Sequence, residues 1–228
     1  MQKMNDTDLI PLDHNTRLHT ILDVSWKIFK SQFIHERHPV LKEAPFQHHF
    51  ASIISTVGGL YCIQREDEFF VDLETKCENI KNKSKYLDIT CEFAKSDVRC
   101  AIELKFKTAK QGAQDHGRID TYVDIEALEL ACKAGYTFGK FYMITDSKTY
   151  VNESKKGVGT VFAIHHGFES RIGELWYPSK GRQHVKVHFE NAYKFEWEHF
   201  GGRYFLDLSV CDGPSKTGIE QIVAGEPR

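Results

Sequence analysis

Asp88 stands fifteen positions before Glu103, and Lys105 follows two positions later. Two carboxylates and an ammonium brought to one place can carry metal-assisted hydrolysis of a phosphodiester. Hard carboxylate oxygens with a few waters are an ordinary magnesium environment. A cation held there polarises a phosphate and lowers the pKa of a bound water. A lysine beside it orients that water or offsets charge on a pentavalent phosphate.

Two alternating runs must position these side chains. Leu87, Ile89, Cys91 and Phe93 alternate with Asp88, Thr90 and Glu92, and Val98, Cys100, Ile102, Leu104 and Phe106 alternate with Arg99, Ala101, Glu103 and Lys105. A period of two predicts strands with one buried face. Side chains at i and i+2 share a face, so Glu103 and Lys105 point the same way. The short polar segment Ala94-Lys95-Ser96-Asp97 predicts a hairpin turn. Pairing around that turn brings Asp88 close to Glu103. A second triplet, Glu74-Thr75-Lys76, lacks a well-spaced strand aspartate upstream, because Asp67 is only seven positions back in a charged run.

An aspartate on one strand with Glu-x-Lys on the next resembles the PD-(D/E)xK nuclease superfamily, the restriction-endonuclease-like fold. The motif here is Asp88 … Glu103-Leu104-Lys105, with Leu87 where the family usually has proline, and the resemblance covers about residues 40 to 165. It implies an α/β protein with a mixed central β-sheet flanked by helices, followed here by a C-terminal antiparallel β elaboration. It implies a metal-dependent endonuclease that hydrolyses DNA phosphodiester bonds with Mg²⁺, for which Mn²⁺ can substitute, and no organic cofactor. Asp88, Glu103 and the backbone carbonyl of Leu104 would hold the metal, and Lys105 would assist the water. The family also tends to place an acid or glutamine on an upstream helix, a role open to Glu43 or Gln47. A polar residue near the following helix is open to Gln111, Gln114 or Asp124. A homodimer would suit double-strand cleavage, by analogy at fold level. The alternative is a catalytically inactive module of the same fold that binds nucleic acid or a protein partner.

With 228 residues and 41% hydrophobic content, the chain can bury a substantial core as one domain. Residues 14–165 read as the core with its N-terminal helices, 166–210 as the β elaboration and 211–228 as a disordered tail. A net charge of −2 excludes a globally basic nucleic-acid binder, although binding needs only a local basic surface. The six cysteines form no Cys-x-x-Cys pair, which fits buried thiols in a reducing cytosol better than disulfides or zinc. Without a leader or an apolar run of spanning length, a cytoplasmic protein with no membrane partner is expected.

Helical spacing predicts helices over about 16–33, over a Pro45-led segment closed by Gly58-Gly59, and over about 118–133 ending at Gly135. Strands are expected at 60–64, 69–73, 140–145 and 158–164, loops at 76–85 and 107–117, and an antiparallel meander over 184–190, 193–199 and 203–210. Lys107, Lys110, Gln111, Gln114 and His116 are candidate nucleic-acid contacts. With Lys81, Lys83 and Lys85, the lysines either hold a phosphate backbone or form a solvated face. The doublets His48-His49 and His165-His166 diverge in direction and make no ready chelate. Tyr193, Phe195, Trp197, Phe200 and Tyr204 fit core packing better than base stacking. No phosphate-cradling glycine loop and no Gly-x-Ser-x-Gly elbow is present.

Overall fold

A computed structural model describes residues 9–81 and 83–212. Helix α1, His14–Ile34, starts at Asp13, whose carboxylate accepts the Thr16 N–H at 2.8 Å. That satisfies a donor the first turn would otherwise leave unpaired. Leu18, Ile21, Leu22, Trp26 and Phe29 lie along one buried face of α1. Helix α2, Glu43–Leu60, buries Phe46, Phe50, Ile54 and Val57 at the same spacing. Strands β1 (Phe69–Ile80), β2 (Lys83–Phe93) and β3 (Val98–Lys107) follow as an antiparallel set. Helix α3 (Gln114–Lys133) then crosses over, so that β4 (Phe138–Thr145) pairs parallel to β3. The chain continues through the hairpin β5 (Gly173–Trp176) and β6 (Lys186–Phe189) to β7 (Trp197–Phe200) and β8 (Arg203–Val210).

The central sheet has six strands in the order β1-β2-β3-β4-β8-β7, parallel only between β3 and β4. Helices cover both faces, which makes this an α/β protein with a mixed sheet. Helices α1 and α2 pack with Ile102, Leu104 and Phe106 of β3 in one core. Helix α3 packs with Ala101, Phe141 and Met143 in the other. Strand β4 is buried along its whole length, as expected of a strand covered on both faces.

Gly58 marks a close approach of α2 to β1. A Cβ built there would lie 2.1 Å from the Phe69 ring, whereas at Gly59 it would meet nothing within 4 Å. Helix propensity favours alanine over glycine by about 1 kcal/mol. Overpacking a filled contact costs about 1–3 kcal/mol, so the clash dominates at Gly58. Gly58→Ala is expected to lower the urea midpoint at unchanged slope, and Gly59→Ala to hold or raise it.

Several sequence expectations are corrected. Residues 60–64 form no strand, because Leu60 ends α2 and Tyr61 is its C-cap. Residues 76–85 are not a loop, since β1 and β2 run through them as a long hairpin arm. The arm is largely polar and solvated, which hides the alternation. Residues 158–164 are not a strand either. They form a turn and an irregular segment that packs Val158, Phe162 and Ile164 into the α3 core. Helix α3 begins at Gln114, four residues before the expected Arg118. Gly58 and Gly59 lie inside α2, whereas Gly135, with φ of 110°, follows the end of α3 as expected.

The last third is not a self-contained meander. Strand β6 pairs with β5, and β8 pairs with β4, so β7 and β8 complete the central sheet. The separation of 166–210 from the core therefore does not hold for those two strands. Tyr193, Phe195 and Trp197 are buried in the α3 core, while Phe200 is exposed. Cys91 and Cys100 are buried free thiols on the inner faces of β2 and β3. Most of the expected tail, residues 213–228, lies outside the described residues, as do residues 1–8. Among the described residues no helix is long and apolar enough to cross a membrane.

Candidate active site

Strand β2 parts from β3 at the two carboxylates. Their register runs from Phe93↔Val98 to Ile89↔Ile102 and stops there, with Asp88 and Glu103 next on either side. Asp88 folds its carboxylate into the gap, and Oδ2 accepts the Leu104 N–H at 2.7 Å. Two residues on, Oε2 of Glu43 accepts the Phe106 N–H at 3.2 Å. Carboxylates thus take over β3 donors that a longer β2 pairing would have satisfied. On the other side of Asp88, Glu74 has a left-handed φ of 50°. Gln47 closes this break, its Nε2 donating to the Asp88 carbonyl at 2.6 Å and to Glu74 Oε1 at 2.9 Å.

Glu103 and Lys105 share the face covered by α3, where Asp124 meets them. Lys105 Nζ lies 2.7 Å from Asp124 Oδ2 and 3.7 Å from Glu43 Oε1. Lys85 Nζ lies 2.8 Å from Asp124 Oδ1 and 2.9 Å from Glu103 Oε1. Glu43, Asp88, Glu103 and Asp124 thus surround two ammonium groups, Lys85 and Lys105.

This imbalance shapes every charge in the site. Burial pushes the Asp88 carboxyl up to about 6, and Glu43 and Asp124 add to it against the opposing Leu104 N–H and Lys105. Burial also drives Glu103, only 2% exposed, well above the usual carboxylate range, with Asp124 and Asp88 adding to it and Lys85 opposing. Burial works against the charge of Asp124 as well, but Lys105 and Lys85 outweigh it and hold that carboxyl low. Burial likewise opposes the Lys105 ammonium, yet Asp124 and Glu43 hold it well above the ordinary lysine range. Lys105 is therefore a persistent cation. Asp88 and Glu103 are carboxylates whose charge is undercompensated, the condition under which an added cation is most strongly favoured.

The alternatives left by the sequence resolve in geometric terms. Glu43 and Gln47 both reach the site, being one helical turn apart on α2. Their i, i+4 spacing was a readable sign that one face carries both. Of the polar residues after the motif, Asp124 meets Lys105, whereas Gln111 Oε1 caps the Thr108 N–H and Gln114 opens α3. Lys85 is an internal counter-ion to Glu103 and Asp124 and not part of a solvated face. Lys85 and Leu87, two residues apart, share the face of β2 that meets α3, and this spacing is the sequence signal of that role. Glu74, from the second Glu-x-Lys triplet, sits at the margin through Gln47.

The expected nucleic-acid contacts divide. Lys110 and Gln111 are exposed beyond the end of β3, and Lys107 is half-buried there. His116 is spoken for, its Nε2 lying 2.9 Å from the Lys180 carbonyl. That contact joins α3 to the 177–183 segment. Lys81 pairs with Glu126, and the Lys83 side chain lies outside the described residues.

Asp88 Oδ1 and both Glu103 oxygens accept no hydrogen bond among the described residues, Glu103 Oε1 being buried beside Lys85 as an ion pair only. Among those residues, no group of three or more His, Cys, Asp or Glu side chains forms a ready metal cage. Magnesium does not require one, because it keeps several waters and is commonly held by one or two carboxylates. Compared with known proteins, the chain matches no family model, no curated protein and no solved structure.

Proposed function

We propose that this protein is a metal-dependent endonuclease that hydrolyses DNA phosphodiester bonds, with a restriction-endonuclease-like core of the PD-(D/E)xK kind. The observation that carries this reading is the parting of β2 from β3 at Asp88, which leaves Asp88, Glu103 and Lys105 facing one gap. The α3 crossover into a parallel β4 agrees with the helix and strand that the resemblance implies after the motif.

Asp88 and Glu103 would hold Mg²⁺ or Mn²⁺, with the Leu104 carbonyl beside them, and a bound dication would supply polarisation of the phosphate and an acidified water. The chain's own groups do the rest. Lys105, kept charged by Asp124 and Glu43, is an electrostatic stabiliser and water-orienting group and not a base. Lys85 holds Glu103 and Asp124 in place. Gln47 and Glu43 hold Asp88 and β3 at the separation the gap requires. Lys107, Lys110, Gln111 and Gln114 lie at the β3 end and the start of α3, where they would track a phosphate backbone. A homodimer would place two such gaps on the two strands of a duplex.

One observation favours a second reading, a nuclease-fold module without turnover. Lys85 and Lys105 already compensate part of the carboxylate charge, and no ready cage exists among the described residues. Incubation of supercoiled plasmid with the purified protein and Mg²⁺ or Mn²⁺ tests the nuclease proposal. Nicking or linearisation that chelator abolishes supports it; intact DNA alongside measurable metal binding supports the module.

The state of Asp88 gives a pH dependence. Metal binding requires both carboxylates, so Mg²⁺ affinity should fall as pH drops, with Asp88 taking up its proton near 6 and Glu103, also raised by burial, adding to the fall. Metal-free stability has the opposite sign. The folded carboxyl, at about 6, lies above its ordinary 3.8, so the folded state holds a proton that the unfolded chain has lost. The Asp88 contribution to stability should therefore rise as pH falls from about 6 toward 4, and Asp88→Asn should remove that contribution from the slope. Calorimetric titration of Mg²⁺ and urea denaturation across this range read the two effects.

A further inference from the structure

Away from the Asp88 gap, the far side of α2 carries a basic pocket. It has a volume of about 470 Å³ and lies between the end of α1, the segment after it and α2. Its lining brings together Arg37, His38, His48 and His49, with Gln32 and Ser52 as neutral donors, and includes no carboxylate. That is unusual in a chain of net charge −2. The His38 and His49 rings stack at 4.3 Å with an interplanar angle of 11°, and His48 meets His49 edge-on at 5.2 Å. Among the described residues Arg37 makes no ion pair. The rings do not converge on one point as metal ligands, in keeping with the absence of a ready cage among the described residues.

We propose that this pocket binds a phosphate-bearing anion. Two stacked imidazoles repel each other when both are charged, and no carboxylate lines the pocket to relieve that repulsion. Burial together with His38 and His48 holds His49 below the ordinary histidine range. An anion seated between Arg37 and the histidines supplies the missing negative charge and forms charge-assisted hydrogen bonds to each. The titratable groups facing His49 are His38 and Arg37 from the connecting segment and His48 from α2, whereas α1 contributes Ile28 and Gln32, which do not titrate. Binding is accordingly strongest where the histidines can take up protons and weakens as pH rises. None of these residues belongs to the Asp88 site, so this site stands or falls independently of the nuclease reading.

Titration of the full chain with inorganic pyrophosphate by calorimetry at pH 6 and pH 8 tests the proposal. Binding is expected at pH 6 and should be weaker at pH 8. Loss of one charge-assisted contact corresponds to roughly tenfold or more in affinity, the effect expected of Arg37→Gln and of His38→Gln with His49→Gln. In the unmodified protein, pyrophosphate should also shift the histidine ring resonances and raise their titration midpoints, a readout that does not depend on any variant folding. A short DNA duplex that competes with pyrophosphate would identify the phosphate as that of nucleic acid, and failure to compete would identify a small anion. No binding of millimolar pyrophosphate at pH 6, or binding that survives both substitutions, overturns the proposal.

Discussion

Asp88→Asn is expected to lower metal-dependent DNA cleavage by roughly 10²–10³-fold or more, while the protein stays folded. The substitution separates two roles of one side chain. The amide keeps an oxygen that can accept the Leu104 N–H, now bonded at 2.7 Å, so the parting of β2 from β3 keeps its internal cap. What is lost is the negative charge. Asp88 is already pushed up to about 6 by burial, Glu43 and Asp124, so its charge depends on an added cation. Asp88→Ala removes the cap as well and should add a loss of stability, because a buried donor left without a partner costs about 1–3 kcal/mol. Comparing cleavage rate and urea midpoint for the two variants separates charge from structure. Equal cleavage by Asp88→Asn and the unmodified protein would remove Asp88 from the chemistry.

The second large effect concerns stability. Asp124→Ala should destabilise the fold by about 3–5 kcal/mol, the cost of removing one partner from a buried ionic group. For a chain of this size that is a fall in Tm of roughly 10 °C or more. Asp124 neutralises two lysines at once, at 2.7 and 2.8 Å, and its loss leaves Lys85 and Lys105 facing each other with only Glu103 and Glu43 to share. The effect should persist at high salt, since screening acts weakly on buried pairs. Adding Lys85→Met to Asp124→Ala should recover part of the loss, with a coupling of about 0.5–3 kcal/mol in a double-mutant cycle. Additive effects would mean that Lys85 and Asp124 do not act as a pair.

What could be read from the sequence follows the reach of each signal. Helices α1, α2 and α3 were legible because Leu18, Phe46, Ile119 and their neighbours recur at helical spacing on one buried face. Strands β2 and β3 were legible from a period of two. The arm at 76–85 was not, because solvated polar side chains such as Lys76 and Glu78 break the alternation. Residues 158–164 misled in the opposite way, since an irregular segment buried under α3 is as apolar as a strand. The insertion of β8 between β4 and β7 is a long-range pairing that local pattern does not encode.

The site divides along the same line. Asp88, Glu103 and Lys105 could be placed from local alternation and one short turn. Asp124 was one of three candidates, and only the packing of α3 on β3 distinguishes it. The sequence leaves Lys85 open between a phosphate contact and a solvated face, because its ion pairs reach Asp124 across the sheet face. Spacing alone gives Glu74 no partner aspartate, yet its strand register brings it beside Asp88. Spacing along one strand is local chemistry, whereas counter-ions depend on which helix covers which face.

Single-turnover cleavage of an end-labelled DNA duplex, with Mg²⁺ or Mn²⁺ and with chelator, tests the central proposal most directly. The unmodified protein, Asp88→Asn and Lys105→Met should be run side by side. Cleavage by the unmodified protein alone, abolished by chelator, with Lys105→Met still binding metal, is the predicted result. No cleavage by the unmodified protein with either metal, or cleavage that survives both substitutions, would contradict it.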